Sequence, residues 1–260
     1  MGNGRVKEAR KLSRRSERSE RRLFLADGPK AVEGALSTVL DSGASCVVEV
    51  FATVAASEQY VDLRSAAPIW TLVEDRALAS LSDSVSPAGL VAVCRFLDVP
   101  PTEIVDGSAL VAICADIRDP GNAGTVIRCA DAAGADGVVF AGHSVDAYNP
   151  KTVRASVGSL FHLPVGVDPD PAGAVRTAQE AGLVVLAADG AGEVDLDHAD
   201  DLLARPTAWL FGNEAWGLPA ELAALADHRV RIPIHGRAES LNLSTAAALC
   251  LYASARAQRR

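Results

Sequence analysis

From Ala109 onward the chain repeats one local pattern: a short apolar run, a turn marked by glycine or proline, then a segment with apolar residues at helical spacing. "ALVAICADI" carries almost no polar alternation, and neither does "TAWLFG"; a strand without a polar face is one buried on both sides. Around them "GVVFAG", "PVGVD" and "LVVLAAD" read as further strands. "NAGTVIRCADAAG", "AGAVRTAQEAG" and "PAELAALAD" read as helices, and "NPKTVRASVGSLFHL" as a loop leading into one. "RVRIPI" and an Ala-rich helix over 243–258 close the series. Strands joined by helical crossovers run parallel, so five to six of them predict a doubly wound parallel sheet.

A shorter α/β alternation precedes this one. "FLADGPKAVEGALSTVL" predicts a brief strand, a Gly-Pro turn and a helix. "CVVEVFA", "IWTLV" and "GLVAVCRFL" follow as strands, with "SEQYVDLRSAA" and "EDRALASLSDS" as helices between them. "LDVPPTEIVDGS" holds two prolines and little periodicity, which suits a linker. The expected organisation is a basic arm over 1–22, a small α/β domain over 23–96, a linker over 97–107 and a larger α/β domain over 108–260.

Composition narrows the classes. No run of about 20 uncharged apolar residues is present, so no membrane partner is expected. The opening "MGNGRVKEARKLSRRSERSERR" lacks the apolar stretch of a secretory signal. Cys46, Cys94, Cys114, Cys129 and Cys250 are dispersed, form no CxxC pair and sit mostly in apolar runs, as expected of reduced core residues in a cytoplasmic protein without a metal site. Net charge is −8, yet residues 1–22 hold nine Arg or Lys against three Glu. The remaining chain is therefore strongly acidic, which excludes a polyanion-binding coat and leaves a local basic arm, with Arg14 and Arg15, to meet phosphate.

Ligands of open α/β sheets bind at the carboxyl ends of the strands, and three loops there are unusual. In "DIRDPGNAGTVIRC", Pro120 and Gly121 make a turn, Asn122 is placed to cap the next helix, and Arg128 follows nearly two turns on. In "WLFGNEAWGLP", Gly212 and Gly217 bracket Asn213–Glu214, allowing backbone to approach a ligand closely. In "RVRIPIHGRAESLNLSTAAALC", Pro233 ends a strand, and Ser240 and Asn242 stand at the mouth of a helix whose first N–H groups need partners. No GxxxxGK[ST] phosphate loop or GxSxG elbow is present, and "GAGEVD" at 190–195 carries Asp where a dinucleotide fingerprint needs its third glycine. That argues against a nicotinamide enzyme and for a cofactor without a diphosphate.

Taken together, "NAGTVIR", "FGNEAWGLP" and "IPIHGRAESLNLSTAAAL" resemble the three motifs of the SpoU (TrmH-like) RNA ribose methyltransferases of the SPOUT superfamily, in the family's order and over roughly 108–258. "FLADGPKAVEGAL" and "SPAGLVAV" more weakly resemble the L30e/L7Ae-like substrate-binding domain that precedes the catalytic domain in many members. The resemblance implies a deep trefoil knot, a homodimer and S-adenosyl-L-methionine as methyl donor. It places donor contacts on Ala188, Gly190, Phe211, Gly212, Asn213, Gly217, Ile232 and Leu241. It assigns Asn122, Arg128, Glu214, Ser240 and Asn242 to substrate and catalysis, and Arg154 and Ser156 to the RNA entrance. The implied activity is 2′-O-methylation of structured RNA, with 23S rRNA favoured over tRNA; a non-catalytic RNA- or ribosome-binding protein on the same fold is the reading from another class.

Overall fold

A computed structural model of the protein describes residues 3–260. The chain forms two compact units, one running up to Leu97 and also containing Asp146–His162, the other containing Asp98–Val145 and Leu163–Arg260.

The first unit is built on four strands, β1 (Leu23–Asp27), β2 (Val47–Ala52), β3 (Trp70–Leu72) and β4 (Leu90–Arg95), in the order β1-β4-β2-β3. Only the β2–β3 pair is parallel. The expected basic arm is not an appendage. Its described part forms two helices, Asn3–Lys11 and Arg15–Arg21, while residues 1 and 2 lie outside the described residues. Val6 and Ala9 share one helical face and, with Leu12 just past the helix end, pack into a core with Leu25, Phe51, Leu78 and Val91. Arg18 is 1% exposed. Its guanidinium pairs with Asp146 at 2.6 Å and donates to the carbonyls of Leu12 and Ser13.

Residues 146–162, read from sequence as part of the larger sheet's series, belong to this first unit. Aromatic burial is the reason: Tyr148 stacks on Phe96 with centroids 3.9 Å apart and lies 4.7 Å from Phe24. The Tyr148 hydroxyl also accepts the Leu97 N–H at 2.7 Å. The helix expected over 57–67 is instead two short helices, Val54–Gln59 and Val61–Ala66, broken at Tyr60.

The second unit carries seven parallel strands: β5 (Leu110–Ala115), β6 (Gly137–Ala141), β7 (Val165–Asp168), β8 (Val184–Ala188), β9 (Val194–Asp195), β10 (Thr207–Phe211) and β11 (His228–Arg231). Their order is β7-β6-β5-β10-β8-β11-β9, one strand more than the apolar runs predict because β9 is only two residues long. β5 and β10 are buried throughout, as their unbroken apolar character requires. The expected linker is partly core: a short helix, Pro101–Val105, buries Ile104 and Val105 among Val139, Val175 and Leu183. Glycines at 137 and 166 let Ile104 approach, since a Cβ at either would lie under 3 Å from its side chain. On the other face the terminal helix Leu243–Gln258 lies along the Pro120–Ala133 helix. It is fixed to β10 by a bond from the fully buried Trp209 Nε1 to Ser254 Oγ, 2.9 Å long.

Candidate active site

β5, β10, β8 and β11 are neighbours in that order and all parallel, so their carboxyl ends open on one edge of the sheet. The three motifs and the 188–190 turn follow these four strands.

The loop after β5 begins at Asp116, which holds a left-handed backbone (φ 55°), a conformation Asp tolerates better than most residues. Its carboxylate accepts the His143 N–H at 2.8 Å and its carbonyl accepts Asn213 Nδ2 at 2.7 Å, tying this loop to the one after β10. Asp119, not Asn122, caps the following helix: Pro120 takes the first helical position, and the Asn122 N–H donates to Asp119 Oδ1 at 2.8 Å. Asn122 thereby sits inside the first turn, with its side chain free to point outward.

The loop after β10 is a tight turn in which Asn213 and Gly217 exchange backbone hydrogen bonds of 3.0 and 2.9 Å. Gly217 has φ 70°, and a Cβ on Gly212 would lie 2.4 Å from the Gly217 carbonyl carbon, so both positions require glycine. This turn presents Glu214 to the first loop. Its carboxylate accepts the N–H groups of Arg118 (3.1 Å) and Asp119 (3.0 Å) and the Asn122 side-chain amide (3.2 Å). Partial burial pushes this carboxyl up, but the backbone N–H donors and the Asn122 amide outweigh it and hold Glu214 below the ordinary carboxylate range.

The third loop closes the chain of contacts. Asn242 caps the terminal helix, its Oδ1 accepting the N–H groups of Ser244 (2.9 Å) and Thr245 (3.4 Å). Its amide is left free to donate to Asn122 Oδ1 at 3.1 Å. Asn242, Asn122 and Glu214, separated by 120 and 92 residues, thus form one hydrogen-bonded line.

The remaining expected residues distribute as follows. Phe211, Gly212 and Asn213 are buried at the end of β10; Ala188 and Ile232 are half-buried at the ends of β8 and β11; Gly190, Gly217 and Leu241 are exposed. A Cβ at Gly190 or Gly217 would meet nothing within 4 Å, so both face open space. Ser240 and Arg128 are exposed, and no described hydrogen bond joins either to the Asn122–Glu214–Asn242 line. Arg154 and Ser156 fall in the first unit. Ser156 is fully buried and donates to the Val153 carbonyl, which corrects its expected place at an RNA entrance. Asp116 and the donor role of Arg118 and Asp119 escaped sequence reasoning; the dense "DIRDPGN" was the one available signal. No cluster of three or more His, Cys, Asp or Glu among the described residues could hold a metal, and no described helix is long and apolar enough to cross a membrane.

The fold and site define a class that comparison with known proteins identifies. Residues 109–252 match the model of the SpoU rRNA Methylase family, and residues 3–92 match an MRM3-like substrate binding domain. The chain belongs to the SpoU rRNA methylase family. Among its relatives is the 23S rRNA (guanosine(2553)-2′-O)-methyltransferase RlmP of Bacillus subtilis, 32% identical over 96% of this chain and 95% of that protein. Among solved structures, AviRb from Streptomyces viridochromogenes in complex with AdoMet superposes with a TM-score of 0.85 at 30% identity, covering 99% of both chains. An AdoMet-bound rRNA methyltransferase from Sinorhizobium meliloti gives 0.83 at 32% identity, covering 98% of this chain and 95% of that one.

Proposed function

We propose that the protein is an S-adenosyl-L-methionine-dependent rRNA 2′-O-ribose methyltransferase acting on 23S rRNA. The observation that carries this reading is the hydrogen-bonded line Asn242–Asn122–Glu214, which brings all three motif loops to one point. Room for the donor is supported by Gly190 and Gly217, where an added Cβ would meet nothing within 4 Å. Backbone of Gly212, Asn213 and Gly217, with Ala188, Gly190, Phe211, Ile232 and Leu241, would hold it. S-adenosylmethionine, when bound, supplies an electrophilic methyl group together with its own leaving group.

The chain's task is to orient a ribose and ease loss of its 2′ proton. Glu214 is not the base: its oxygens already accept three hydrogen bonds, and its lowered pKa leaves little affinity for a proton at neutral pH. It is a positioning residue that fixes Asn122. Arg128, permanently charged, stabilises developing charge on the 2′-oxygen while a phosphate or water takes the proton. Ser240 lies on the exposed 234–242 loop, where a bound ribose would be met.

Partners follow from the surface. Among the arm's cations, Arg5, Lys11, Arg18 and Arg21 are engaged by carboxylates and Arg22 lies over Phe96. Lys7, Arg10, Arg14 and Arg15 are exposed and form no ion pair among the described residues, which supports a phosphate contact there. Leu249 and Tyr252 expose an apolar face on the terminal helix, which supports a homodimer. The position of β11 between β8 and β9, beneath their connection, supports the knotted topology. Five free cysteines support a cytoplasmic setting.

The test is transfer of labelled methyl from S-adenosylmethionine to 23S rRNA and, in parallel, to tRNA, with the product mapped by its resistance to alkaline cleavage. One resistant linkage in 23S rRNA is expected. Donor binding with no transfer to either RNA would make the protein a non-catalytic binder; transfer to tRNA alone would overturn the rRNA assignment.

A further inference from the structure

The connection from β8 to β9 crosses β11, and its contacts with that strand are denser than a surface turn needs. Asp189 N–H donates to the Val230 carbonyl at 3.0 Å, and Val194 and Asp195 then pair with Val230 and Arg231 on the opposite edge. At the midpoint, Gly192 lies so close that a Cβ would stand 2.6 Å from the Arg229 carbonyl oxygen and 2.9 Å from the Arg231 nitrogen. These are backbone atoms of a strand paired on both sides, with β8 and β9, and have little room to move.

Two arginines of β11 reach over this crossing. Arg229 Nε meets Glu193 Oε2 at 3.1 Å while its own N–H donates to Glu193 Oε1 at 3.0 Å, and its guanidinium stands 3.9 Å from Asp189. Arg231 donates to the Gly192 carbonyl and to Asp195 Oδ2, both at 3.1 Å. The connector is thus held at both ends by charge and in the middle by steric fit. Gly190, near its start, faces open space, and β8, the strand it leaves, is the neighbour of β10, which ends in the Asn213–Gly217 turn.

We infer that Arg229 and Arg231 form an electrostatic latch that positions the Asp189–Asp195 connector for donor binding, a role resting on the proposed methyltransferase reading. The arginines are positioning residues: their partners are loop carboxylates and a loop carbonyl. Half-exposed ion pairs are individually weak, so the latch tunes affinity and does not hold the fold.

The test uses the full-length chain. Donor affinity is measured by equilibrium dialysis for wild type, Glu193→Gln, Arg229→Glu, Glu193→Arg and the double exchange Arg229→Glu/Glu193→Arg. Amide hydrogen exchange at Asp189 and Gly192 is followed without donor. The single variants should weaken donor binding about threefold to tenfold and speed exchange at these amides, and the double exchange should recover most of both. Gly192→Ala, which displaces the connector by sterics alone, should weaken binding more than any single charge variant. Unchanged affinity and exchange in the charge variants, or a double exchange no better than its parents, overturns the latch. Wild type that takes up no donor overturns the underlying reading and the latch with it.

Discussion

Three donors converge on the Glu214 carboxylate, and only an acceptor on both oxygens satisfies them. Glu214→Gln offers one acceptor oxygen and brings a donor against an N–H. We expect methyl transfer to fall about tenfold to a hundredfold, the scale of one charge-assisted hydrogen bond, with donor affinity changed far less; single-turnover rates separate the two. The pH behaviour follows from the direction of the shift. A carboxyl held below its ordinary value of 4.5 contributes stability that is complete above that value and is lost as pH falls through the lowered one. The network therefore stays intact across the neutral range, and an acid limb in the rate near neutrality would have to come from another group. Arg128→Ala belongs at this scale too. Donor binding measured by calorimetry should be nearly unchanged while transfer drops at least about a hundredfold, the cost of one lost electrostatic contact. Turnover equal to wild type would remove Arg128 from the chemistry.

Elements were legible where their apolar pattern was unbroken. β5 and β10 were plain because no polar residue interrupts them, and the Pro120–Ala133 helix was plain in its body and at Gly134, while its start, expected at Asn122, lies at Asp119 and Pro120. β9 was hidden by its length, and the Pro101–Val105 helix by prolines that also suit a linker. Arg18 was unreadable for a deeper reason: sequence shows its charge but not the Asp146 carboxylate, 128 residues away, that lets it be buried. Arg18→Ala should accordingly destabilise the protein by about 3–5 kcal/mol, because the Asp146 carboxylate would lose its countercharge and keep only the Tyr148 N–H; the shift in thermal midpoint measures it. The terminal helix makes a milder case. Ser254→Ala leaves the buried Trp209 N–H without an acceptor and should cost about 1–3 kcal/mol in denaturant unfolding.

At the scale of the whole molecule, charge is divided between two tasks. Arg18 and Arg21 are consumed by intramolecular carboxylates, while Lys7, Arg10 and Arg14 stand exposed along one side of the arm. Replacing those three with Ala should lower the slope of log affinity for rRNA against log salt by about 2–3, since each phosphate contact contributes about 0.7–0.9. An unchanged slope would place the RNA elsewhere. The sequence located all three motif loops, because glycines, prolines and capping residues at strand ends leave a local mark. It did not show which residues touch: the Asn122–Asn242 bond depends on a sheet order in which β10 is inserted between β5 and β8, a long-range fact. The claim on which the functional account rests is that these converging loops form the methyl-donor crevice. Calorimetric titration of the purified protein with S-adenosylmethionine, for wild type and Gly212→Ala, tests it most directly. Saturable binding of one donor per chain, lost when the new Cβ forces Gly217 aside, is the predicted result; no binding by wild type, or equal binding by both proteins, would contradict it.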